Sequence, residues 1–336
     1  MIEEAVTMVS PITGGKMTLH WEWREVEFRK ALFKVMFPFY RCEDTGEQFT
    51  TTESDGVWAR QLHAQYCFKY GIPFVDEIVA LRRRYGVSAS KMSLILGLGE
   101  NQYRRYEQEE VPNLSNGKII RSAMNPKVFL DLVEGSKGLL GERDYTKIIS
   151  RLHDIIDHKE EWRIRRYDTM RVFASGRSEE NGYAPLSLER LRNVLLYVLN
   201  HCGEVWCTKM NKMLFYIDFL AYRNCGMAVS GLSYRAIDFG PVPERWERVY
   251  SEFEEVRQES RETGDFEGIV LVANGHCDES LFSADELRVM LMVCERFKDT
   301  SSREISRISH EESAWKEYYL QRQKIPFSEA IGLRAW

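Results

Sequence analysis

Between Ser88 and Glu107 the chain reads Ser-Ala-Ser-Lys-Met-Ser-Leu-Ile-Leu-Gly-Leu-Gly-Glu-Asn-Gln-Tyr-Arg-Arg-Tyr-Glu. Met92, Ile95 and Leu96 form one helical stripe, and Gly97 to Gly99 permit a sharp turn. A second short helix follows, in which Tyr103 and Tyr106 are spaced to pack inward. That spacing leaves Asn101, Gln102, Arg104 and Arg105 on its outer side. Asn, Gln and Arg are the side chains that make bidentate contacts to purine edges in the major groove. A buried short helix, a glycine turn and a polar second helix make a helix-turn-helix pattern, which implies sequence-specific DNA reading. The plainer alternative is a generic helical bundle with a polar surface.

Working outward, the helical pattern continues on both sides. Segments 75–85, 89–96, 100–108, 116–124 and 126–134 each carry a helical period, five short helices in about 60 residues, the rhythm of a repressor-type DNA-binding domain. Upstream, 57–70 is helical in pattern, with Trp58, Leu62, Ala64, Gln65 and Phe68 near one face. The first 55 residues read as β-rich: 17–23 and 33–40 are aromatic and β-branched, between turn-rich stretches at 10–15 and 42–46. Downstream, 143–167 reads as a long polar helix with Ile148, Leu152, Ile155 and Ile156 along one side, able to dock on the helical domain or to pair with its twin in a dimer. Residues 174–184, rich in Gly, Ser, Glu and Asn, read as the best linker in the chain.

From Leu186 a third domain is expected. Helices are predicted over 188–199, 208–225, 284–297 (with Ser283 as N-cap), 301–309 and 314–322, and short strands over 233–239 and 269–273. The expected fold class is mainly α with small β elements. The division is 1–55 as a β unit, 56–140 as the helix-turn-helix domain, 141–185 as helix and linker, and 186–336 as the C-terminal domain.

Composition limits the function classes. The 336 residues suffice for two or three domains with real cores, and 44% hydrophobic with 29% charged residues is ordinary for a globular protein. The sequence has no apolar run approaching the roughly 18 residues a membrane helix needs, and the N-terminal residues lack a signal-peptide pattern, so a cytoplasmic, non-membrane protein is expected. Seven cysteines stand at 42, 67, 202, 207, 225, 277 and 294 with no CxxC pair, which favours free thiols over a disulfide framework. The net charge of −5 falls on residues 186–336, with 19 basic and 24 acidic side chains. Residues 76–121 hold 8 basic and 6 acidic ones, a weak bias toward phosphate. An acidic C-terminal half points to a protein partner there rather than nucleic acid.

Residues 78–114 resemble the repressor-type (XRE) helix-turn-helix, in which an Arg-Tyr-Glu element closes the recognition helix. The form Gly-x-Asn-x-x-x-Arg-Tyr-Glu, here Gly99, Asn101, Arg105, Tyr106 and Glu107, resembles that of MqsA-type antitoxins. The resemblance implies Asn101 and Arg105 as base readers, with Gln102, Arg104, Ser90 and Lys91 as phosphate or flanking contacts and Glu107 as a support of the fold. MqsA-type antitoxins open with a zinc-binding unit, Cys-Pro-x-Cys-Gly and later Cys-x-x-Cys-Gly-Glu. This chain has Ser10-Pro11-Ile12-Thr13-Gly14 and Cys42-Glu43-Asp44-Thr45-Gly46-Glu47. Three of the four ligand positions are Ser10, Thr13 and Thr45, and neutral hydroxyls do not replace thiolates on zinc. The expectation is a zinc-ribbon-like fold without zinc, its turns held by hydroxyl-to-backbone hydrogen bonds. No metal or other cofactor is implied.

In the third domain, the aromatic run Lys212 to Tyr222 precedes Gly226, Ser230-Gly231, Tyr234 and Gly240-Pro241-Val242-Pro243. Phe282-Ser283 with Glu286 and the run His310 to Trp315 follow. Order and spacing resemble the Panacea (SocA-like) domain over about 186–331. That resemblance implies a toxin-neutralising module. Tyr216, Tyr222, Tyr234, Arg235, Pro241 and Pro243 are the candidate toxin-contact residues. The implied whole is a type II antitoxin that binds the toxin encoded by the neighbouring gene and, as a homodimer, represses its own operator. The alternative is a helix-turn-helix transcription factor whose C-terminal domain senses a ligand or acts as a proteolysis adaptor. A hydrolase built on His310, Glu311, Glu312, Asp218 and Tyr222 is disfavoured, because no GxSxG, P-loop, HExxH or GxGxxG pattern accompanies them. Buried packing of His310 with Trp315, and hydrogen bonding of Asp218 or Tyr216 in the core, is the expected use of these residues.

Overall fold

The computed structural model describes residues 8–158, 167–263 and 266–336. By internal contacts the chain divides into two compact units, Met1–Leu62 with Asp168–Trp336, and His63–Tyr167. The fold is mainly α with small antiparallel sheets, as expected.

The first unit opens with a four-stranded sheet of β1 (Met8–Val9), β2 (Lys16–Phe28), β3 (Ala31–Cys42) and β4 (Gln48–Phe49), paired in that order. β2 and β3 form one hairpin, in register from Met17↔Cys42 to Phe28↔Ala31 and longer than the expected strands. Its two-residue turn is Arg29-Lys30, with φ of 49° and 66°. A tight hairpin turn of this kind needs positive φ at both central residues and usually carries Asn-Gly, so a charged pair there hides the turn from a sequence reading. α1 (Thr52–Tyr70) follows, and the boundary between the units falls within it. Within the first unit the Gln61 side-chain oxygen, midway along α1, accepts from the Met36 N–H of β3 at 2.9 Å.

The second unit is helical: α2 (Val75–Tyr85), α3 (Ala89–Ile95), α4 (Gln102–Glu107), α5 (Leu114–Ala123), α6 (Pro126–Gly135) and α7 (Glu142–Asp157). The five expected short helices are all present, and three of them start at a side-chain cap. Ser88, Asn113 and Asn125 each accept a backbone N–H at a helix start, and Pro126 occupies the first turn of α6. One core joins Ile78, Leu81, Met92, Ile95, Tyr103, Tyr106, Ile120 and Phe129 to Ile148, Leu152 and Ile155 of α7. The apolar stripe of α7 is thus spent on its own unit, which decides between docking and pairing for that face. Residues 159–166 of the expected long helix lie outside the described residues, and a short helix occupies 167–172.

The expected linker is a packed segment instead. Tyr183 and Ala184 are buried, Ser178 caps a single turn at Glu179–Asn181, and the Arg177 guanidinium donates to the Tyr183 carbonyl at 2.7 Å. Gly182 sits at φ +57° so close to Ala228 and Phe327 that a Cβ there would meet them at 2.7 and 3.0 Å. Small and polar residues here serve close approach, not mobility.

Beyond it come α8 (Leu188–Cys202), β5 (Val205–Trp206), α9 (Cys207–Cys225), β6 (Tyr234–Ile237), β7 (Gly240–Pro243), α10 (Trp246–Ser251), β8 (Val256–Thr263), β9 (Phe266–Ala273), α11 (Ala284–Phe297), α12 (Ser302–Glu311), α13 (Ser313–Tyr319) and β10 (Lys324–Ile325). Ser283 caps α11 in a box with Glu286, as its spacing predicts. Two three-stranded sheets, β10-β6-β7 and β5-β9-β8, flank the helices. α9 is the axis of this region: it packs against α11, β7 and α12, and nearly all of its residues are buried. Within the first unit, Arg223 of α9 lies over the Trp21 ring of β2 at 4.9 Å, and the left-handed Gly226 that ends α9 abuts the Val57 carbonyl of α1. These contacts explain why the N-terminal sheet clusters with the C-terminal residues.

Candidate functional site

On α3 and α4, aromatic anchors set the polar face. The Tyr103 hydroxyl donates to the Ile78 carbonyl at 2.8 Å, and its N–H donates to Ser93 Oγ at 3.0 Å, locking α4 to α2 and α3. Burial pushes the Tyr103 hydroxyl well above the usual tyrosine range, so it stays a neutral donor. Tyr106 accepts from Asn116 Nδ2 at 2.7 Å. With both tyrosines inward, Asn101, Arg104 and Arg105 are exposed. Asn101 is the N-cap of α4 at φ +60°, and its side chain makes no capping bond. Of the flanking candidates, Gln102 donates to Glu110 at 2.9 Å, Ser90 lies 3.2 Å from Ser88, and Lys91 pairs with Asp144 at 2.7 Å. Glu107 is turned to Arg82 at 2.6 Å, a supporting contact within the unit. The face therefore presents one amide and two guanidinium groups that have no side-chain partner among the described residues.

The two N-terminal turns do converge. Cys42 Sγ lies 3.6 Å from Thr13 Oγ1, and Ser10 Oγ accepts from the Ile12 and Thr13 N–H groups at 3.3 Å. Thr13 Oγ1 accepts from the Gly15 N–H and donates to Asp44 at 2.9 Å. Hydrogen bonds from Thr45 first, then Thr13, bring the Cys42 thiol down to about 6. Among the described residues no group of three His, Cys, Asp or Glu side chains is placed to hold a metal.

The candidate toxin-contact residues are largely interior. Tyr216, Tyr222, Tyr234, Pro241 and Pro243 are buried and Arg235 is partly exposed; Pro243 and Arg235 line one open cleft. The Tyr216 hydroxyl donates to Glu312 at 3.2 Å, and that of Tyr234 to Asp218 Oδ2 at 2.5 Å. Asp218 is fully enclosed and also accepts from the Val229 N–H at 2.9 Å, the Ser230 N–H at 2.8 Å and the Ser230 hydroxyl. Burial raises the Asp218 carboxyl, and the Ser230 and Tyr234 hydrogen bonds oppose that rise. The network ties α9 to the loop before β6, as the core reading of these residues expects. His310 stacks on Trp315 at 4.2 Å, again as packing.

Lys212 is the side chain the sequence did not single out. It is buried on α9 against Gly240 of β7, where a Cβ would come within 2.9 Å of Lys212 Cε, and its ammonium has no hydrogen-bond partner among the described residues. Burial brings its pKa down to about 7. Its position inside an aromatic stripe was visible, but no spacing rule marks a lysine as interior.

Residues 210–316 match the family of antitoxin SocA-like proteins, the Panacea domain. The Panacea segment runs from α9 to α13 and holds Lys212, Asp218, Tyr234 and His310. This supports an antitoxin-type role for the chain. No curated protein and no solved structure is matched. No described helix is long and apolar enough to cross a membrane.

Proposed function

We propose that the protein is the antitoxin of a type II toxin–antitoxin pair: it neutralises a toxin protein by direct binding through the Panacea segment and represses its own operon through the α3–α4 helix-turn-helix. The observation that carries the first half is the match of residues 210–316 to the antitoxin SocA-like family. The second half is supported by the exposed Asn101, Arg104 and Arg105 on a helix whose tyrosines are anchored inward. In this reading the chain acts in the cytoplasm by binding, without catalysis or cofactor. A two-fold dimer would read two half-sites about one helical turn apart.

The test is co-expression with the neighbouring open reading frame. The reading expects that frame to arrest growth alone and growth to be restored by the full chain, with the two proteins co-purifying. A harmless neighbour, or rescue without complex formation, overturns it.

A further inference from the structure

A cleft of about 460 Å³ in the first unit is lined by three cationic side chains from separate segments: Arg235 of β6, Arg245 at the start of α10 and Lys324 of β10. Glu244 is its one carboxylate. The Glu244 side chain is largely buried; it accepts from Arg235 Nη2 at 2.6 Å and Ser233 Oγ at 2.9 Å and pairs with Lys324 at 3.3 Å. Lys324 also reaches Glu180 at 2.7 Å. Arg245 differs from both. Its Nη1 donates only to main-chain carbonyls, those of Met170 (2.7 Å), Phe173 (3.1 Å) and Arg171 (3.3 Å), and it has no carboxylate partner among the described residues. Its backbone sits at φ +58°, a conformation that costs a non-glycine residue free energy and is retained where its surroundings hold it in place. The result is a fixed, exposed, uncompensated guanidinium beside two shared cations, in a chain of net charge −5.

The apolar part of the lining is Trp246, Val242, Pro243, Ile237 and Ala174, and the neighbouring Met170 is 65% exposed. Sites for small molecules enclose most of their ligand. This cleft is open to solvent, which suits a stretch of polypeptide laid across it. We infer that the cleft seats an acidic segment of a protein partner, its carboxylates on Arg245 and Lys324 and an apolar side chain against Trp246 and Val242. The inference rests on the antitoxin reading and names the chemistry by which the toxin is held. Of the residues expected from sequence to contact a toxin, Arg235 and Pro243 line this cleft, while Tyr216, Tyr222, Tyr234 and Pro241 do not.

The experiment titrates the full chain into a fluorescein-labelled peptide, Glu-Glu-Phe-Glu-Glu-Leu-Glu, with its Lys-for-Glu counterpart as control. Wild type is expected to prefer the acidic peptide by about tenfold or more, with affinity falling as salt rises. The neutral pair Arg245→Gln with Lys324→Gln, chosen over charge reversal to spare the fold, is expected to lose about tenfold, while Arg307→Gln on the exposed face of α12 loses nothing. Equal binding of both peptides, no binding at about 1 mM, or an unaffected Gln pair of unchanged melting temperature overturns the inference. So does displacement of the peptide by inorganic phosphate at similar concentration, which would make the cleft a small-anion site. Co-expression separates the two readings. If the peptide binds but the chain does not rescue growth from the neighbouring gene product, the antitoxin reading fails. If the chain rescues and the Gln pair rescues equally, the cleft is not where the toxin sits and this inference fails.

Discussion

α4 and α9 are both aromatic-striped helices studded with polar residues, and the structure uses their polar groups in opposite ways. α4, six residues long, turns Tyr103 and Tyr106 inward and leaves Arg104 and Arg105 in water beside Asn101. α9, nineteen residues long, is wrapped on several sides and encloses Lys212, Asp218, Arg223 and Asn224 with its aromatics. A side chain's type therefore does not separate recognition from architecture; the number of faces a helix buries does. On α4, Arg104 and Arg105 stay exposed beside Asn101, while Gln102 and Glu107 are paired within the unit. On α9 each polar group has to be satisfied inside, as Asp218 is, or stays a cost, as Lys212 is.

That contrast can be broken at its strongest point first. Asp218→Ala leaves two N–H groups and two hydroxyls without their acceptor in the core, and a loss of about 3–5 kcal/mol is expected by denaturant unfolding. Asp218→Asn keeps the oxygen that serves Val229 and Ser230 and should lose less. If Asp218→Ala unfolds like wild type, the interior reading of α9 is wrong.

Lys212→Met should do the reverse and stabilise the protein, by roughly 2–4 kcal/mol at neutral pH. The native ammonium loses its proton near pH 7, whereas the unfolded chain holds it to about 10.5. The cost of burying the charge is therefore complete below pH 7 and fades between pH 7 and 10.5, so wild-type stability climbs toward that of the variant over this window. Burial first, and the nearby Lys212 charge second, hold the His310 imidazole below its ordinary range, so NMR titration should show it rising in Lys212→Met. A constant stability gap between the two proteins from pH 6 to 10 would contradict the assignment.

On the helical unit the effects are smaller. Gly117→Ala places a Cβ within 2.9 Å of Ile72, an overpacking worth about 1–3 kcal/mol. Glu107→Gln removes the charge from the part-buried pair with Arg82 and should destabilise by only about 1 kcal/mol. Both can be read from melting curves. A loss from Glu107→Gln well above about 1 kcal/mol would mean that α4 is held by charge as well as by its tyrosines.

How much was legible follows from where each signal is written. The start of α11 was readable because Ser283 is a local capping signal, and α3 and α6 start where a helical period meets Ser88 and Asn125; α5 starts two residues before its expected bound, at the Asn113 cap. The Arg29-Lys30 turn was not, since its residues lack the preference for positive φ that marks a hairpin. Strand β8, Arg-Gln-Glu-Ser-Arg-Glu after Val256, has no alternation and is placed by its pairing with β9, a tertiary fact. The polar face of α4 follows from the spacing of two tyrosines. The burial of Tyr216 and Tyr234 does not, because it depends on β7, α11 and α12 closing over α9. The cleft at Arg245 joins residues 174, 235, 245 and 324, and no periodicity links positions so far apart.

The most direct measurement is the double substitution Asn101→Ala with Arg105→Ala, assayed for shift of the chain's own promoter DNA and for rescue from the neighbouring gene product. The account predicts a loss of promoter affinity of about a hundredfold or more with neutralisation and melting temperature unchanged. Unaltered promoter binding, or loss of neutralisation in a folded variant, would contradict the proposed separation of DNA reading on α4 from toxin holding in the C-terminal part of the chain.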